Sequence, residues 1–535
     1  MSLTPALRDA TFRWIADDPS AASREELQGV LARAMGGDAA ALEDLADRMA
    51  GPLTFGTAGL RGPVRAGTNG MNVATVVRTT AGLAAWLGSP GSGVVFVGRD
   101  ARHGSEEFCT AAAEVMAAAG FDVRVLPGPL PTPVLAFLVR RHGAVAGIQI
   151  TASHNPPADN GYKLYLTGGS QIVPPSDGEI EKAIEAVPAA VSVPRSPTYS
   201  VVSDAEVDEY LERVSSLPRQ NARGLKIALT PMHGVGGAFA VEALRRAGFT
   251  DVHVVRSQAV PDPDFPTVVF PNPEEPGASD ELLALAASAD ADLAIALDPD
   301  ADRCALGVRD GSAWRMLRGD ETGVLLGSLV LSTTESADPL VATTIVSSSL
   351  LKSIAAAHGA RYAETLTGFK WLARAGEGLV FAYEEALGNC VDPSHVADKD
   401  GLSAAVVAAD LAAGLKASGR TLLDALDQLA LDHGLHLTDQ VSLRYTDLSL
   451  IGATMARLRA EPPPDFTSED MLPGADVLRW TADGVRVIVR PSGTEPKLKA
   501  YLEVVEPVTD GLPSAREAAV ARLKVLRERV TELVG

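Results

Sequence analysis

Three aspartates in a short loop carry the strongest chemical signal in this sequence of 535 residues. They follow an apolar strand in the segment LAIALDPDADRCALG (293–307) and are Asp298, Asp300 and Asp302. Their alternate spacing lets three carboxylates converge on one hard cation, and oxygen-only ligands suit Mg²⁺. An EF-hand is excluded, because its sixth position would be Arg303 instead of Gly and its twelfth Arg309 instead of Glu. A solvated acidic turn stays open as the alternative.

A serine after a second strand-like run could carry a covalent group. In GIQITASHNPPADNGYKLY (147–165), Ser153 follows GIQIT, and α/β folds build their sites at the carboxyl ends of strands. The Gly-x-Ser-x-Gly elbow is absent, because Thr151 and Asn155 stand at the glycine positions. His154 is the immediate neighbour of Ser153 and is poorly placed to act as its base. A plain turn leaving a strand is the alternative.

The turn RPSGTEPKLK (490–499) has the composition of a phosphate-binding loop. It supplies Arg490, Ser492, Gly493, Thr494, Lys497 and Lys499. Cationic and hydroxyl groups bind phosphate oxygens, and a glycine lets the backbone approach them closely. An exposed hairpin turn with basic residues is the alternative.

Two glycine-containing segments carry weaker signals. FGTAGLRG (55–62) places Arg61 among small residues, and TLTGFKW (365–371) follows the third predicted strand pair. The phosphate-binding P-loop pattern does not occur in the sequence. The dinucleotide-binding glycine fingerprint is also missing, because HGVGGAF (233–239) has Phe239 at its third glycine position.

Adjacent acidic residues near position 385 and the motif DKDG (398–401) complete the candidates. Glu384 and Glu385 are either the charged start of a helix or acceptors for sugar hydroxyls, and the residues alone favour the helix start. On the same reasoning, His395 and Lys399 would be surface residues.

A repeated scaffold is predicted to position these segments. One pattern of strand, polar turn, Ala/Leu-rich helix, Gly and second strand occurs three times. The copies begin at VVFVGRD (94–100), LKIALTPMHG (225–234) and LVATTIVSSS (340–349). Short β-branched runs joined by helices indicate βαβ units. The segment VRVIVRPSGTEPKLKAYLEVVE (485–506) instead predicts two strands about one turn, followed by a helix. The fold class is therefore α/β, with three related mixed-sheet domains and a C-terminal α+β domain.

The predicted domain boundaries lie near residues 215, 325 and 440. The four ranges are 1–215 with the Ser153 loop, 216–325 with the aspartate loop, 326–440 with the Glu384 segment, and 441–535 with the basic turn. Proline-rich stretches at 187–197, 261–276 and 460–466 are predicted to be linkers or surface loops.

Composition excludes several classes of function. With 68 Asp+Glu against 47 Lys+Arg, the formal charge of -21 repels nucleic acid and anionic membranes. The three cysteines show no Cys-x-x-Cys spacing, so neither a disulfide framework nor a thiolate metal site is predicted. No apolar run approaches the roughly 18 residues of a membrane span. We expect a soluble, cytoplasmic protein.

Taken in order, TASHNP, DPDADR, EEALG and RPSGTEP resemble the four signatures of the α-D-phosphohexomutase superfamily. GTAGLRG, NGYK, TLTGFK and DKDG look most like its phosphoglucomutase/phosphopentomutase branch. The resemblance covers residues from about 50 to 505. It implies four domains around a central cleft, named in order for their phosphoserine, metal, sugar-binding and phosphate-binding loops.

The resemblance also implies roles for a group of catalytic residues. Ser153 would carry a phosphoryl group and, with the three aspartates, would hold Mg²⁺. Lys163, in NGYK, matches the general acid/base lysine of the family, and Lys399 matches a second active-site lysine. Arg61 and Arg303 would stabilise charge on the transferred group, and His154 is counted with this catalytic group.

A second group of residues would bind the substrate. By the same resemblance, the sugar is held by Thr367, Gly368, Glu384 and Glu385, and the distal phosphate by Arg490, Ser492, Gly493 and Thr494. This sequence departs from the commoner sugar loop, since Tyr383 replaces its Gly and Ala386 its Ser. Substrate choice is therefore the least determined property.

The resulting functional hypothesis is a phosphohexomutase that interconverts glucose 1-phosphate and glucose 6-phosphate through a phosphoserine enzyme. Phosphomannomutase and phosphopentomutase are alternatives with the same mechanism. A non-catalytic phosphosugar-binding protein and a metal-dependent phosphatase are alternatives from other classes. The hypothesis implies Mg²⁺ as cofactor, glucose 1,6-bisphosphate as activator, a small phosphosugar as the only partner, and a monomer or homodimer without nucleic acid or membrane.

Overall fold

The computed structural model describes residues 3–56, 59–88, 92–445, 448–492 and 497–535. The chain divides into two compact units, each of which gathers segments distant in sequence. Unit 1 consists of Met1–Pro218, Leu225–Met316 and Asp392–Ala409, and unit 2 of Arg219–Gly224, Leu317–Val391 and Asp410–Gly535. The segment Asp392–Ala409, which carries the DKDG motif, therefore belongs with the first two predicted domains.

Three helices precede the first sheet, and the sequence analysis did not predict them. They are α1 (Pro5–Asp17), α2 (Ala21–Met35) and α3 (Ala39–Arg48). Each begins after a polar residue, Thr4, Ser20 or Asp38, whose side chain accepts a hydrogen bond from a backbone N–H of the first turn. Such caps satisfy donors that a helix start leaves without partners. Leu27 and Leu45 lie in the small apolar core between these helices.

The first sheet has the order β1-β5-β4-β2-β3-β7, with β6 paired to β5. Its strands are β1 (Leu60–Pro63), β2 (Val94–Arg99), β3 (Asp122–Pro129), β4 (Ala146–Ile150), β5 (Asp159–Leu166), β6 (Ser170–Gln171) and β7 (Ser200–Val201). The helices are α4 (Val73–Leu87), α5 (Ser105–Ala118), α6 (Thr132–Arg141), α7 (Ser176–Glu185) and α8 (Asp204–Ser215), with a 3₁₀ turn at Ala190–Ser192. β2 pairs in parallel with β3 and β4, and β5 is antiparallel to β1 and β4.

The second sheet, also in unit 1, has the order β12-β11-β10-β8-β9. Its strands are β8 (Lys226–Thr230), β9 (Asp251–Val254), β10 (Leu293–Leu297), β11 (Cys304–Asp310) and β12 (Ala313–Met316). The helices are α9 (Gly237–Arg246) and α10 (Asp280–Ser288), with a 3₁₀ turn at Arg256–Gln258. β8 is parallel to β9 and β10, whereas β10 and β11 are antiparallel about the aspartate loop.

The third sheet belongs to unit 2 and has the order β14-β13-β15-β16. Its strands are β13 (Leu340–Thr344), β14 (Arg361–Thr365), β15 (Leu379–Glu384) and β16 (Gly388–Cys390). The helices of this part of the chain are α11 (Gly319–Thr333), α12 (Leu350–Ala357), α13 (Phe369–Leu372), α14 (Gly401–Ala417) and α15 (Leu422–His433). β13 pairs in parallel with β14 and β15, and β16 runs antiparallel to β15.

The fourth sheet is antiparallel throughout, in the order β17-β21-β20-β19-β18. Its strands are β17 (Leu435–Arg444), β18 (Thr467–Asp470), β19 (Leu478–Ala482), β20 (Val485–Pro491) and β21 (Lys497–Glu506). The helices are α16 (Leu448–Ala460) and α17 (Leu512–Val534). Trp480, Val487 and Leu502 lie in the core of this part of unit 2.

The architecture confirms the predicted α/β fold class. Each of the three repeated patterns forms a parallel strand pair joined by a helix, namely β2–α5–β3, β8–α9–β9 and β13–α12–β14. The segment 485–506 forms the predicted two strands, and α17 follows it. Two predicted domain boundaries fall inside elements, since α11 spans residue 325 and β17 spans residue 440. The boundaries stay predictions.

Within the described residues, no single helix has both the length and the apolar character needed to cross a membrane. The helix pair Gly401–Ala417 and Leu422–His433, bent by 87°, meets the length and composition test only when the two are taken together. All three cysteines, Cys109, Cys304 and Cys390, are free and buried.

Candidate active site

The Ser153 loop begins where β4 ends and is held in a strained backbone conformation. Ser153 is buried and has a φ of 52°, which places a residue with a side chain in the left-handed region. Such a conformation costs roughly 1–3 kcal/mol and persists only where the surroundings fix it. The Ser153 N–H donates to Thr151 Oγ1 at 2.9 Å, and the Asn155 N–H donates to the carbonyl of Ala152 at 3.0 Å. These bonds close the loop on itself.

Arg102, which lies outside the Ser153 loop in the sequence, holds that loop in place through hydrogen bonds. The sequence analysis did not identify it. Its guanidinium donates to the backbone carbonyls of Ser153 (2.6 Å), Asn155 (2.7 Å), Pro156 (2.9 Å) and Asp159 (3.1 Å). Arg102 is itself buried and lies 3.5 Å from Asp100 Oδ2, which balances its charge. The available signal was GRDARHG (98–104), in which Asp and Arg follow a buried strand. A buried guanidinium with four carbonyl acceptors therefore presents the Ser153 hydroxyl.

The aspartate loop connects β10 to β11, and all three of its aspartates are fully buried. One carboxylate oxygen from each lies within 4.8 Å of the others. Asp298 Oδ2 accepts the Ser153 hydroxyl at 2.8 Å, and Asp298 Oδ1 accepts the Arg303 backbone N–H at 3.0 Å. The solvated-turn alternative is wrong, because the strand pair carries these carboxylates into the interior. The three carboxylates lie together, and one of them, Asp298, contacts Ser153.

Two lysines neutralise much of this negative charge. Lys163 Nζ lies 2.6 Å from both Asp300 Oδ2 and Asp302 Oδ2, and Lys399 Nζ lies 3.2 Å from Asp302 Oδ2. Burial opposes ionisation of Asp302, but Lys163 and Lys399 outweigh it and hold the pKa of this carboxyl well below its usual range. Burial, followed by Asp300 and Asp302, raises the pKa of Asp298 well above its usual range. Lys399 is buried, so its surface alternative is wrong.

The loop retains ligand capacity for a divalent cation. Asp300 Oδ1 and Asp302 Oδ1 are buried and accept no hydrogen bond from any residue that the structure describes. A buried carboxylate oxygen without a donor is costly unless a cation meets it. The atoms available to bind a metal are all carboxylate oxygens, and oxygen is the ligand atom that Mg²⁺ prefers. The residues present therefore fit the Mg²⁺ that the resemblance implies.

The remaining catalytic candidates surround Ser153. Arg61, on β1, donates from Nη1 to Asn155 Oδ1 at 2.8 Å, and burial lowers its pKa. His154 Nδ1 lies 3.2 Å from Ser153 Oγ, within hydrogen-bond reach, contrary to the expectation that it is poorly placed. Burial, then Arg303 and Arg61, hold the pKa of His154 well below its usual range. The imidazole is therefore neutral beside the serine.

The DKDG motif is fastened into unit 1 by its acidic residues. Asp398 Oδ2 accepts hydrogen bonds from Tyr165 Oη and Gln171 Nε2, each at 2.7 Å. Asp400 Oδ1 accepts from Tyr210 Oη at 2.8 Å. Lys399 lies between these two anchors, and this arrangement directs its ammonium group to Asp302.

The sugar-loop candidates lie in unit 2. Glu384 ends β15 and Glu385 follows it, so the helix-start interpretation of this pair is wrong. Glu385 Oε2 accepts the hydroxyls of Ser347 at 3.0 Å and Thr344 at 3.1 Å, and its backbone N–H donates to Ser347 Oγ. Burial, followed by Asp320, raises the pKa of Glu385. The turn is thus shaped by serine and threonine from the end of β13.

The other binding candidates of unit 2 lie at loop ends. Gly368 has a φ of 109° directly before α13, and Thr367 precedes it. Arg490 lies on β20 opposite Lys499, and the Ser492 N–H donates to the carbonyl of Lys497 at 2.8 Å. Gly493 and Thr494 lie outside the described residues.

Comparisons with known proteins match most of the chain. Four family models match in order: phosphoglucomutase/phosphomannomutase alpha/beta/alpha domains I (residues 52–190), II (208–311) and III (318–430), and the C-terminal domain (443–509). In fold, the chain is similar to a phosphoglucomutase/phosphomannomutase family protein from Burkholderia thailandensis, with a TM-score of 0.69 and 21% identity over 90% of this chain and 97% of that one.

Three relatives differ in the sugar that their names specify. A "Probable phosphomannomutase" from Haemophilus influenzae is 42% identical over 81% of this chain and 93% of its own length. A phosphoglucomutase from Staphylococcus aureus is 32% identical over 88% and 92%, and a phosphopentomutase from Mus musculus is 31% identical over 100% and 94%. With the four domain matches, these identities show that the chain belongs to the phosphoglucomutase/phosphomannomutase family and is a phosphotransferase isomerase.

Proposed function

We propose that this enzyme interconverts glucose 1-phosphate and glucose 6-phosphate through a phosphoserine at Ser153 and a bisphosphorylated sugar intermediate. The observation that carries the proposal is the 2.8 Å contact between the Ser153 hydroxyl and Asp298, within a cluster of three buried carboxylates. The nucleophile elbow of the α/β-hydrolases is absent around Ser153, and a serine beside a loop that can hold Mg²⁺ is suited to carry a phosphoryl group.

In the proposed reaction, a free sugar hydroxyl attacks the phosphoserine. The P–O bond to Ser153 breaks as the new P–O bond to the sugar forms. Lys163, acting as the neutral amine, would take up the proton of the sugar hydroxyl, and a proton returns to the departing Ser153 oxygen. Mg²⁺, held by the three aspartates and a phosphoserine oxygen, would supply positive charge against the transferred group. Arg61 and Arg303 would add to that charge from the protein side, while Lys399 keeps Asp302 ionised.

The substrate must also be anchored through the phosphate it already carries. We assign this role to Arg490 and Ser492, together with Gly493 and Thr494. Glu384 and Glu385, with Thr367 and Gly368, would bind sugar hydroxyls. After the first transfer, the bisphosphate turns around and returns the other phosphate to Ser153. Glucose 1,6-bisphosphate would therefore activate an enzyme that has lost its phosphoryl group.

Phosphomannomutase and phosphopentomutase activities are supported about equally. The relative with 42% identity is named a phosphomannomutase, and the phosphopentomutase match extends over the whole chain. The departures at Tyr383 and Ala386 lie next to the two glutamates that would contact the sugar. The mechanism at Ser153 is the same for all three substrates.

The test compares kcat/KM for glucose, mannose and ribose 1-phosphates, with Mg²⁺ and the matching bisphosphate as primer. A tenfold lead for glucose, about 1.4 kcal/mol of transition-state discrimination, supports the proposal. A lead for mannose or ribose keeps the mechanism and changes the substrate. Release of free phosphate in place of the isomer would indicate a phosphatase.

Replacement of the serine tests the mechanism itself. We expect Ser153→Ala to bind sugar phosphate and to lose turnover by about 10⁴-fold or more, because the carrier of the phosphoryl group is gone. Ser192→Ala is the matched control, since Ser192 is exposed and its hydroxyl donates to the Ala189 carbonyl of its own turn. Retained turnover in Ser153→Ala would exclude the phosphoserine mechanism.

A further inference from the structure

Thr132 donates two hydrogen bonds to Asp300, the middle aspartate of the aspartate loop. It is the first residue of α6 and is fully buried. Its hydroxyl donates to Asp300 Oδ2 at 2.5 Å, and its backbone N–H donates to the Asp300 carbonyl at 3.0 Å. One residue thus holds both the main chain and the side chain of Asp300.

The start of α6 explains why both donors are available. The first backbone N–H groups of a helix have no acceptor within it, and Pro133, at the second position, has none to donate. Pro131 precedes Thr132 and, with Pro133, restricts the backbone on both sides. The helix has ten residues, so its N-terminal dipole also favours the Asp300 carboxylate.

The two oxygens of Asp300 have unequal surroundings. Oδ2 accepts from Thr132 and from Lys163, whose Nζ lies 2.6 Å away. Oδ1 is buried and has no hydrogen-bond donor among the residues that the structure describes. Two donors on one oxygen fix the rotation of a carboxylate about its Cβ–Cγ bond. The donors on Oδ2 therefore also set the direction in which Oδ1 points.

We infer that Thr132 is a positioning residue that orients Asp300 for the divalent cation and joins the aspartate loop to the first sheet. The segment before it is tied to that sheet, because the Leu130 N–H donates to the Arg99 carbonyl at 2.9 Å and Gln149 Nε2 donates to the Leu130 carbonyl at 3.0 Å. β4, which carries Gln149, leads directly to Ser153. Thr132 therefore sets the distance between the metal ligands and the serine. The inference rests on the proposed role of the aspartates.

Direct binding of Mn²⁺ to the purified full-length enzyme tests this inference. Free Mn²⁺ is measured by electron paramagnetic resonance during titration, so no turnover is needed. Thr132→Val keeps the side-chain volume and the backbone N–H and removes only the hydroxyl. We expect it to bind Mn²⁺ about 10- to 100-fold more weakly, as for other residues that orient metal ligands. Thr132→Ser restores the hydroxyl and should bind within about threefold of the wild-type enzyme.

The control is Thr11→Val, which removes another buried hydroxyl, one that donates to the Leu7 carbonyl within α1. It should leave Mn²⁺ binding unchanged. Wild-type affinity in Thr132→Val, or equal weakening in Thr132→Ser, would overturn the inference. If Thr132→Val does not fold, Thr132→Ala carries the test because it also lacks the hydroxyl and keeps the backbone N–H, and wild-type binding there is equally contrary.

The proposed function and this inference fail in different ways. If the wild-type enzyme does not bind Mn²⁺, or if Asp300→Asn binds it normally, the proposed metal site is wrong. If the wild-type enzyme binds Mn²⁺, Asp300→Asn does not, and Thr132→Val binds as well as wild type, only the role of Thr132 is wrong.

Discussion

Two buried charge clusters, one in each unit, differ in how completely their polar atoms are satisfied. The aspartate cluster of unit 1 consists of Asp298, Asp300, Asp302, Lys163 and Lys399. The Glu503 cluster of unit 2 consists of Glu503, Arg486, His436, Ser348 and Ser349. Both lie in the interior, yet the first retains carboxylate oxygens without hydrogen bonds among the described residues and the second does not.

Both carboxylate oxygens of Glu503 have hydrogen-bond donors. Its Oε1 accepts from the Ser348 hydroxyl at 2.8 Å and the Ser349 N–H at 2.7 Å, and lies 3.0 Å from His436 Nδ1. Its Oε2 accepts from Arg486 Nε at 3.0 Å. Burial would raise the pKa of Glu503, but His436 and Arg486 lower it to about 2. A fully satisfied buried ion of this kind holds elements together.

In the aspartate cluster, the pKa of Asp298 shifts in the opposite direction, although Lys163 and Lys399 lower that of Asp302. Burial and two neighbouring carboxylates raise the pKa of Asp298, and Asp300 and Asp302 each keep one oxygen without a donor. Such an arrangement sacrifices stability and gains capacity for a ligand. Both clusters are buried and charged, so neither property distinguishes them. What distinguishes the aspartate cluster from the Glu503 cluster is that some of its carboxylate oxygens lack hydrogen-bond donors among the described residues.

Among changes in the two clusters, the largest expected effect is on catalysis, from Asp298→Asn. This change removes one of three mutually repelling carboxylates and one metal ligand, while the amide oxygen can still accept from the Arg303 N–H. We expect kcat to fall by about 10³-fold, roughly 4 kcal/mol in the activation barrier, because charge on the transferred group loses its stabilisation. Stability in the presence of EDTA, measured by urea unfolding, should stay within about 1 kcal/mol of wild type or increase.

The matched control is Asp432→Asn, which changes an exposed carboxylate that accepts a hydrogen bond from Gln428 on α15. It should leave both kcat and stability unchanged. A loss of stability of several kcal/mol in Asp298→Asn, with or without metal, would contradict the view that this cluster is built for a ligand.

The second effect is on stability, from Glu503→Gln. The amide keeps the shape but removes the Glu503 charge that lies 2.8 Å from Arg486, and Glu364, at 3.2 Å and partly exposed, is left as its carboxylate partner among the described residues. Removing one partner of a buried ion pair costs about 3 kcal/mol or more. Urea unfolding followed by tryptophan fluorescence should therefore show a lower midpoint than in Asp298→Asn. An Asp298→Asn enzyme less stable than Glu503→Gln would invert the comparison.

Acid titration sharpens this second prediction. The pKa of Glu503 is lowered from its ordinary value of 4.5 to about 2, so ionised Glu503 stabilises the folded state fully above pH 4.5. This contribution is lost as the pH falls from 4.5 towards about 2. The stability difference between wild type and Glu503→Gln should be constant between pH 7 and 5 and should narrow below pH 4.5. A constant difference down to pH 3 would show that Glu503 is not the titrating group.

Local patterns in the sequence were sufficient for the three repeated strand–helix–strand units and for the aspartate loop. Alternating and apolar runs predicted the three parallel strand pairs, since each pair and its helix lie within about 35 consecutive residues. The aspartate loop was predictable because its three carboxylates lie at alternate positions within five consecutive residues. Lys163 was identified by resemblance, and the structure places its Nζ on two of those carboxylates.

Residues that act through long-range contacts were not predictable in the same way. Arg102 and Thr132 bind partners 51 and 168 positions away, and neither lies in a motif that names its partner. The return of Asp392–Ala409 to unit 1 depends on tertiary contacts, such as that between Asp398 and Tyr165. Glu503 left a local signal of its own, a single acid between the apolar residues Leu502 and Val504 on β21.

The smallest expected effect comes from Ser347→Ala, at the boundary between structural and binding roles in unit 2. The Ser347 carbonyl accepts from Arg486 of the Glu503 cluster, and the Ser347 hydroxyl donates to Glu385 Oε2. Removing the hydroxyl leaves Thr344 as the remaining donor and costs Glu385 the acceptor for its N–H. We expect KM for the sugar phosphate to rise about fivefold, close to 1 kcal/mol, with kcat within twofold.

We expect this single change to affect both substrate binding and the free energy of unfolding slightly, by about 1 kcal/mol each. By contrast, Asp298→Asn should change mainly kcat, and Glu503→Gln mainly the free energy of unfolding. Ser332→Ala is the control, because its hydroxyl donates to the Leu329 carbonyl within α11 of the same unit. It should leave KM unchanged. If Ser347→Ala lowers stability without raising KM, Glu385 is a structural acid like Glu503, and the sugar contact must be made by Glu384 alone.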